Sequence, residues 1–348
     1  MPVSNAIQTR STQGAIAIAL VATLFAGVAM RWTLAGWMSP LWDFARLRHA
    51  HAHLAYYGVL IPLAWLGWAS AGLRRPSLAT CVIYAGFVAL ATLGFLRAGY
   101  APEAIVGSTV VGGIWLWSAS ATRERLTIWT DPLGGLLPGM ILALACVPFV
   151  ARFTRVEPAL AQQWVATFLS ALLLLVVLPT ALGVLRVRRA WPLLLTSGVL
   201  GSLGLGVWPH PVALFGLAVF GVLLLPWRFE GVPLHLRVVW SALGLGVVGM
   251  AVGALPNVRP VVLGAIHFAA LSVALPSMAG LLRLNQDSPL WWLYHGAVVL
   301  LCAPLVAQAF AAGRWTWEVS AIGGTGVLLG AAGGIAWVLA TGGHAGRN

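Results

Sequence analysis

The chain has 348 residues, of which 60% are hydrophobic and 8% are charged, and its mean hydropathy is +0.92. Soluble globular domains carry roughly 25% charged residues, so this composition excludes a water-soluble domain and indicates a protein that uses the lipid bilayer as its solvent. The formal net charge is +12. The basic residues are scattered between apolar runs, which argues against nucleic acid as a partner and is typical of residues that orient membrane helices.

Apolar stretches of about 20 residues, the length that a membrane-spanning helix needs, recur along the whole chain. Each is separated from the next by a short segment that contains Arg, Pro, Asp or Glu. We therefore predict an all-α fold, a polytopic transmembrane helical bundle of about 12 helices. It forms a single integral membrane domain over 1–348, with short tails at about 1–13 and 342–348. The predicted spans are 14–38, 50–73, 77–98, 102–121, 133–152, 163–186, 190–208, 211–227, 235–254, 260–283, 290–311 and 317–341.

The segment Trp208-Pro209-His210-Pro211 separates the seventh and eighth predicted spans. Proline lacks the amide hydrogen that continues a helix. The two prolines therefore predict either a tight turn between two spans or a kink in one longer helix.

The arginines predict the orientation, because cytoplasmic loops carry more basic residues than outer loops. A cytoplasmic N-terminus and twelve spans place more arginines inside than outside. The sequence thus predicts a bacterial inner-membrane protein with both termini in the cytoplasm, and it leaves Arg31, within the first span, unassigned. The inner arginines are Arg10, Arg74, Arg75, Arg123, Arg125, Arg186, Arg188, Arg189, Arg228, Arg237, Arg283 and Arg347, and the outer ones are Arg46, Arg48, Arg97, Arg152, Arg155, Arg259 and Arg314.

Three histidines, His49, His51 and His53, stand at the entry to the second span. Titratable side chains are costly in hydrocarbon and are rarely kept there without a partner or a task. With the predicted orientation all three lie near the outer surface, and His210 lies outside as well. His267, in the tenth span, lies at a depth of roughly 11 Å below the same face. We therefore expect a histidine site in the outer half of the protein.

The spacing of these histidines leaves two interpretations open. His49 and His53 are four residues apart and share a helix face, whereas His51 points to the other side. In the first interpretation, His53 or His51 faces inward and binds haem iron or copper, or relays protons, with a partner such as His267. Imidazole is the commonest ligand for these metals. In the second, the cluster is a solvated group at the membrane surface.

Neighbouring residues favour the ligand interpretation weakly. Arg46 and Arg48 lie about one turn outward of the cluster, where they can pair with carboxylates such as haem propionates. Gly58 follows His53 by five residues, and a small residue admits either a bulky planar group or a neighbouring helix. His295 stands among aromatic residues and is either a ligand or part of an interface belt. The candidate metal ligands are therefore His49, His51, His53, His267 and His295.

Twelve helices, with a histidine-rich second helix and a lone histidine in the tenth, resemble subunit I of the haem–copper oxidases. The early histidine-containing helix with a following glycine is also similar to NnrS-type membrane proteins. The resemblance implies that His53 (or His51) and His267 are the axial ligands of a low-spin, b-type haem near the outer face. The stretch Met278-Ala-Gly-Leu-Leu-Arg283 is similar to an NnrS-type pattern.

The same resemblance does not extend to a complete oxygen- or nitric-oxide-reducing centre. Haem–copper oxidases carry copper ligands on the sixth and seventh helices, but the predicted spans over 163–208 contain no histidine. A second histidine is also missing beside His267, and the NnrS-type Gly-His-Thr-Gly segment does not follow Arg283. If the protein is an enzyme, we expect a membrane oxidoreductase without that binuclear centre.

Two classes of function therefore remain open. The first is a membrane protein whose outer-side histidine site binds haem or copper for electron transfer, metal or haem handling, or a response to nitric oxide. A redox partner protein or a second subunit would then accompany the bilayer. The second is a secondary transporter that uses histidines for substrate or proton coupling. Transporters usually place a carboxylate near the membrane midplane, whereas the 8 acidic residues here fall at or near the predicted span ends.

Overall fold

The computed structural model describes residues 3–70, 76–120, 136–187, 190–227, 229–311 and 313–340. Within these residues the protein is helical, joined by turns and short linkers, and contains no β-strand. Eight helical stretches in this part are long and apolar enough to cross a membrane, so the protein is an all-α membrane protein. They are Arg10–Ala35, Leu78–Ala98, Leu137–Thr154, Pro158–Val184, Leu234–Ala251, Arg259–Ser277, Leu290–Ala307 and Arg314–Ala340.

The chain divides into two compact units, which are described separately. The first unit combines Met1–Ser118 with Met278–Asn348, and the second is Ala119–Ser277. The N-terminal segment of the first unit contains α1 (Val3–Ala35), α2 (Phe44–His53), the π-helical turn π1 (Leu54–Leu60), α3 (Ile61–Ser70), α4 (Leu78–Ala98) and α5 (Pro102–Ser120). Those of the second unit are α6 (Leu136–Val156), α7 (Pro158–Ala171), π2 (Leu172–Val177), α8 (Leu178–Val184), α9 (Trp191–Gly204), α10 (Pro211–Leu224), α11 (Leu234–Ala251), α12 (Arg259–His267), π3 (Phe268–Ala274) and α13 (Leu275–Ser277). The first unit is completed by a 3₁₀ turn (Ala279–Leu282), α14 (Leu290–Ala307) and α15 (Arg314–Ala340).

In the first unit, α1 packs against α2, π1 and α15, while α4 packs against α2 and π1. The helices α4 and α5 approach each other closely at glycines. A Cβ atom added at Gly107 would lie 2.9 Å from the backbone nitrogen of Ala91, and one added at Gly94 would lie 2.8 Å from that of Ala104. Since only glycine fits at this distance, α5 is held against α4 and so lies near the histidines of α2.

In the second unit, α6 packs against α7, and α10 packs against both α9 and α11. The two π turns of this unit, π2 and π3, contact each other. Every residue of π2 is buried and apolar, as expected for a helical segment that is surrounded by protein on all sides. This segment therefore lies in the core of the unit.

A proline follows each of the three π turns in the described part of the chain, at Pro62, Pro179 and Pro276. Proline has no amide hydrogen, and its ring clashes with the carbonyl four residues earlier. A wider turn relieves that clash, and the residue before each proline donates its amide to the carbonyl five residues earlier. These bonds run from Ile61 to Tyr56, from Leu178 to Leu173 and from Leu275 to Ala270.

The all-α membrane fold predicted from the sequence is confirmed, and each of the twelve predicted spans overlaps a described helical stretch. Eight of these stretches are long and apolar enough to cross a membrane, while α9 and α10 are shorter apolar helices. The predicted spans 50–73 and 102–121 correspond to α2–π1–α3 and to α5. The number of twelve spans therefore stays a prediction.

The structure also decides between turn and kink at the segment Trp208–Pro211. The helix α9 ends at Gly204 and α10 begins at Pro211. His210 has extended backbone angles and caps α10, because its Nδ1 accepts the amide of Val212 at 3.3 Å. The segment is thus a turn.

The first helix begins earlier than predicted, at Val3 instead of residue 14. Its apolar, membrane-length part begins at Arg10, so the helix extends beyond the stretch that hydropathy alone detects. Gln13 anchors this extension, since its Nε2 donates to the carbonyl of Leu281 at 2.6 Å.

Several predicted features lie outside the described residues. They are the C-terminal tail 342–348 and the inner arginines Arg74, Arg75, Arg123, Arg125, Arg188, Arg189, Arg228 and Arg347.

Candidate functional site

The helix that carries the three histidines begins at a capped position. Asp43 is its N-cap residue, and its side chain accepts the amide of Arg46 at 2.9 Å. The exposed Arg46 side chain donates from Nη1 to the carbonyl of Arg97, the penultimate residue of α4, at 2.8 Å. The cap and this contact fix the start of α2 against the end of α4, so the histidines occupy defined faces.

His49 and His53 face the same neighbour, as their four-residue spacing predicts. Their rings lie 6.0 Å and 5.5 Å from the ring of Phe95 on α4, measured between centroids. His49 also contacts Tyr100 edge to face at 4.9 Å, and His53 lies 4.9 Å from Tyr57. The two histidines therefore pack against aromatic side chains of π1, of α4 and of the residues that follow α4.

His53 is the more deeply placed of the two, with 7% of its surface exposed. Its Nδ1 lies 3.4 Å from the hydroxyl of Ser108 on α5. Its Nε2 is buried and has no hydrogen-bond partner among the described residues. A buried polar atom without a partner costs about 1–3 kcal/mol, and such an atom in a native protein calls for a functional explanation.

Two aromatic residues enclose this position further. The ring of Tyr57 lies 6.3 Å from that of Trp115 on α5, in an edge-to-face arrangement. Trp115 is fully buried, and its indole Nε1 also has no hydrogen-bond partner among the described residues. The surroundings of His53 are therefore dry and aromatic, with very few polar groups to satisfy the imidazole.

His51 points away from His53, as the sequence predicts. Its Nδ1 lies 2.9 Å from the carbonyl of Thr23 on α1. A carbonyl oxygen only accepts, so Nδ1 carries the hydrogen and, in the neutral ring, Nε2 carries the lone pair. A hydrogen bond from one ring nitrogen to a backbone carbonyl is the usual support of a metal-ligating histidine.

His267 lies in the second unit, where it is half-buried as the last residue of α12. Its Nδ1 lies 2.7 Å from the carbonyl of Leu263, one turn earlier. The same argument assigns the hydrogen to Nδ1 and the lone pair to Nε2. Because His53 and His267 belong to different units, their pairing on one haem stays a prediction from the sequence.

His53 and His267 share a local setting that the sequence analysis missed. Each is the last α-helical residue before a π turn, and each is followed by a proline nine residues later, at Pro62 and Pro276. The two segments match the pattern His-x-Ala-x-x-x-Val-x-x-Pro. Single π turns inside α-helices are frequent at functional sites, so the spacing of histidine and proline was the signal that could have found them.

The other histidines have structural surroundings of their own. His295 is buried on α14, with ring contacts at 6.2 Å to Trp291 and at 6.0 Å to Tyr294. Whether His295 is a ligand or part of an interface belt stays a prediction. His210 is exposed and caps α10.

Burial and charge act together on His49, which lies one residue before the predicted second span. Burial lowers the pKa of His49 below its ordinary value of 6.5, and the positive charge of Arg48 lowers it further. The neutral ring, which can donate to one partner and accept from another, is therefore favoured at this position.

Gly58 has a packing role. A Cβ atom added there would lie 3.1 Å from the Cβ of Ala19 on α1 and 2.7 Å from the side chain of Leu54. The glycine thus allows α1 to pack closely on π1, which explains it without a planar ligand.

The stretch Met278–Arg283 also has a structural role. It forms a 3₁₀ turn, after which Arg283 adopts a left-handed backbone conformation with φ of 62°. The amide of Leu284 donates to the carbonyl of Ala279 at 3.1 Å and so closes the end of the helix. This stretch therefore ends a helix, and its resemblance to an NnrS-type pattern stays a prediction.

Metal binding by a cluster of protein side chains has no support in the described part of the chain. In that part, no group of three or more His, Cys, Asp or Glu side chains is arranged to hold a metal ion. The three histidines of α2 are divided between one face, with His49 and His53, and the other side of the helix, with His51.

In comparisons with known proteins, no family model and no curated protein matches this chain.

Proposed function

We propose that His53 binds the iron of a b-type haem, and that the protein acts in electron transfer or in the response to a diatomic gas such as nitric oxide. The observation that carries this proposal is the buried Nε2 of His53, which has no hydrogen-bond partner among the described residues. When bound, haem supplies a one-electron iron couple and an iron that can take a gas ligand.

The residues around His53 have separate tasks in this proposal. The hydroxyl of Ser108, 3.4 Å from Nδ1, would accept the Nδ1 hydrogen and so leave Nε2 to hold the iron. The rings of Tyr57 and Phe95 would keep water away from the haem and offer it flat apolar surfaces. Arg46 and Arg48, nearer the start of α2, supply positive charge for haem carboxylates.

As the resemblance implies, the second residue that would hold the haem is His267. Its Nδ1 lies 2.7 Å from the carbonyl of Leu263, so Nε2 carries the lone pair in the neutral ring and would be the nitrogen that holds the iron. His51 is the alternative ligand on α2, and separate variants of the three histidines distinguish the possibilities.

The proposal is tested by chemical rescue of a histidine variant. The purified wild-type protein is expected to contain about one haem per chain, as judged by iron content and by the Soret band. His53→Gly is expected to lose the haem, and imidazole added to the solution is expected to restore the band, because it can occupy the vacated position. The matched control is His210→Asn, which keeps a good helix cap and is expected to keep the haem.

Ser108→Ala provides a second measurement that does not depend on haem loss. If Ser108 supports the iron ligand, the variant keeps its haem but has a shifted reduction potential. A folded wild-type protein without stoichiometric iron, or a His53→Gly variant with an unchanged spectrum, would contradict the proposal. Transport coupled to histidine would then be the leading function.

A further inference from the structure

Arg31 is a buried cation in the apolar part of the first helix. It lies in the stretch Arg10–Ala35, which is long and apolar enough to cross a membrane, and it is 7% exposed. An arginine inside a membrane segment is expensive, and it normally has a partner or a function. The His53 site does not use it.

Neutral groups on α1 and α15 hold the guanidinium of Arg31. Its Nε donates to the hydroxyl of Ser320 on α15 at 3.1 Å, and its Nη1 donates to the carbonyl of Gly27 on α1 at 3.1 Å. The Ser320 hydroxyl in turn donates to the carbonyl of Leu301 on α14 at 3.0 Å. These hydrogen bonds therefore orient the guanidinium without neutralising its charge.

No carboxylate of the described residues forms an ion pair with Arg31. The two ion pairs in this part of the chain join Arg97 to Glu103 and Arg314 to Glu318, where the arginines are exposed. A guanidinium has five N–H donors, of which the contacts to Ser320 and Gly27 use one each. The remaining donors belong to the two Nη atoms, and an uncompensated charge of this kind attracts an anion strongly in a low-dielectric surrounding.

Glycines leave room around this cation. A Cβ atom added at Gly324 on α15 would lie 3.3 Å from the Cδ of Arg31, and one added at Gly27 would lie 3.5 Å from its Nη1. A side chain at Gly324 would press on the aliphatic stem of Arg31, whereas one at Gly27 would first meet Cε1 of His51, at 3.1 Å. The helices α1 and α15 are therefore shaped to accept the arginine at this depth.

We propose that the Nη edge of Arg31 binds a small carboxylate anion, in a site formed by α1 and α15 that does not include His53. The planar fork of a guanidinium matches the two oxygens of a carboxylate and binds them with parallel hydrogen bonds. A spherical anion such as chloride gains only the charge attraction and not this match in shape.

The proposal is tested with trifluoroacetate as the probe, by ¹⁹F NMR on the detergent-solubilised full chain, with empty micelles as the blank. The wild-type protein is expected to broaden the ¹⁹F signal, and acetate is expected to reverse the broadening. Arg31→Gln is expected to abolish the effect, whereas Arg10→Gln, an exposed position on the same helix, leaves it unchanged. Ser320→Ala keeps the charge of Arg31 but removes the hydrogen bond that orients its guanidinium through Nε. This variant is expected to weaken the broadening at least threefold.

Three results would overturn this inference. They are a wild-type signal as sharp as that of empty micelles, broadening that survives in Arg31→Gln, and displacement by chloride at the same concentration as acetate. The wild-type and Ser320→Ala measurements decide the matter even if Arg31→Gln fails to fold. Broadening that persists in His53→Gly separates this site from the proposed haem site, so that either proposal can fail alone.

Discussion

At the residue scale, the three histidines of α2 differ in what their ring nitrogens contact. His51 is bonded through Nδ1 to Thr23 on α1, while His49 and His53 face Phe95 on α4. The four-residue period of the helix predicts this division between faces. The partner residues were not predictable, because Phe95 and Ser108 come from helices whose packing the local sequence does not specify.

The neutral state of His49 leads to a prediction about pH. Its pKa lies below 6.5 in the folded protein, so the unfolded chain binds more protons at this site. The stabilising contribution of the neutral ring is therefore present above pH 6.5 and is lost as the pH falls through the lowered pKa. Histidine NMR titration is expected to give a pKa for His49 below 6.5, and Arg48→Gln is expected to raise it.

Arg46→Gln serves as the control for that titration, because the exposed Arg46 side chain is directed at the carbonyl of Arg97. It is expected to leave the pKa of His49 nearly unchanged. A pKa of His49 at or above 6.5 in the wild-type protein would show that burial does not govern this residue.

A buried tyrosine satisfies a carbonyl that the first π turn leaves without its helical partner. The amide of Ile61 donates to the carbonyl of Tyr56, and Pro62 has no amide hydrogen to donate to the carbonyl of Tyr57. The hydroxyl of Tyr84 donates to that carbonyl instead, at 2.8 Å. Tyr84→Phe is expected to destabilise the protein by about 1–3 kcal/mol, measured by denaturant unfolding in detergent. Tyr100→Phe, at a partly exposed ring, is expected to change stability by less than about 0.5 kcal/mol. Equal effects of the two variants would refute this role of Tyr84.

At the scale of elements, the helices follow from apolar runs of membrane length, and most of their bounds agree with the predictions within a few residues. The π turns were not predicted, because periodicity and hydropathy are the same for α and π segments over such short lengths. The signal was present in the prolines, which stand at a constant distance after each turn. His53 and His267 gain their shared setting from this pattern.

The link between proline and π turn is tested by a double-mutant cycle on Pro62 and Tyr84. Pro62→Ala restores an amide hydrogen that can reach the carbonyl of Tyr57, so Tyr84→Phe is expected to cost at least about 0.5 kcal/mol less in that background. Pro179 follows π2 in the other unit, so Pro179→Ala supplies no hydrogen-bond donor to the carbonyl of Tyr57. Its combination with Tyr84→Phe is expected to be additive. Additivity in both pairs would contradict the explanation.

At the scale of the whole molecule, composition predicted the all-α membrane fold but could not count the spans. The helices α9 and α10 have 14 residues each, which is short for crossing a bilayer about 30 Å thick. The predicted topology requires both to cross, so that residue 210 lies outside and residue 286 lies inside.

Cysteine labelling tests this topology. His210→Cys is expected to react with a membrane-impermeant maleimide added to right-side-out membranes, because it lies in the exposed turn between α9 and α10. Gln286→Cys is expected to react only after the membranes are opened. The wild-type protein gives the background from its own cysteines. Reaction of both positions from the same side would exclude the predicted arrangement of spans.

The central claim is that this membrane protein carries haem on the histidine at the end of α2. The most direct test is the reduced-minus-oxidised absorption spectrum of the purified wild-type protein, with iron measured on the same sample. We expect a Soret band with sharp reduced bands and about one iron per chain, as is typical of histidine-ligated haem. A featureless spectrum from folded, iron-free protein would contradict it.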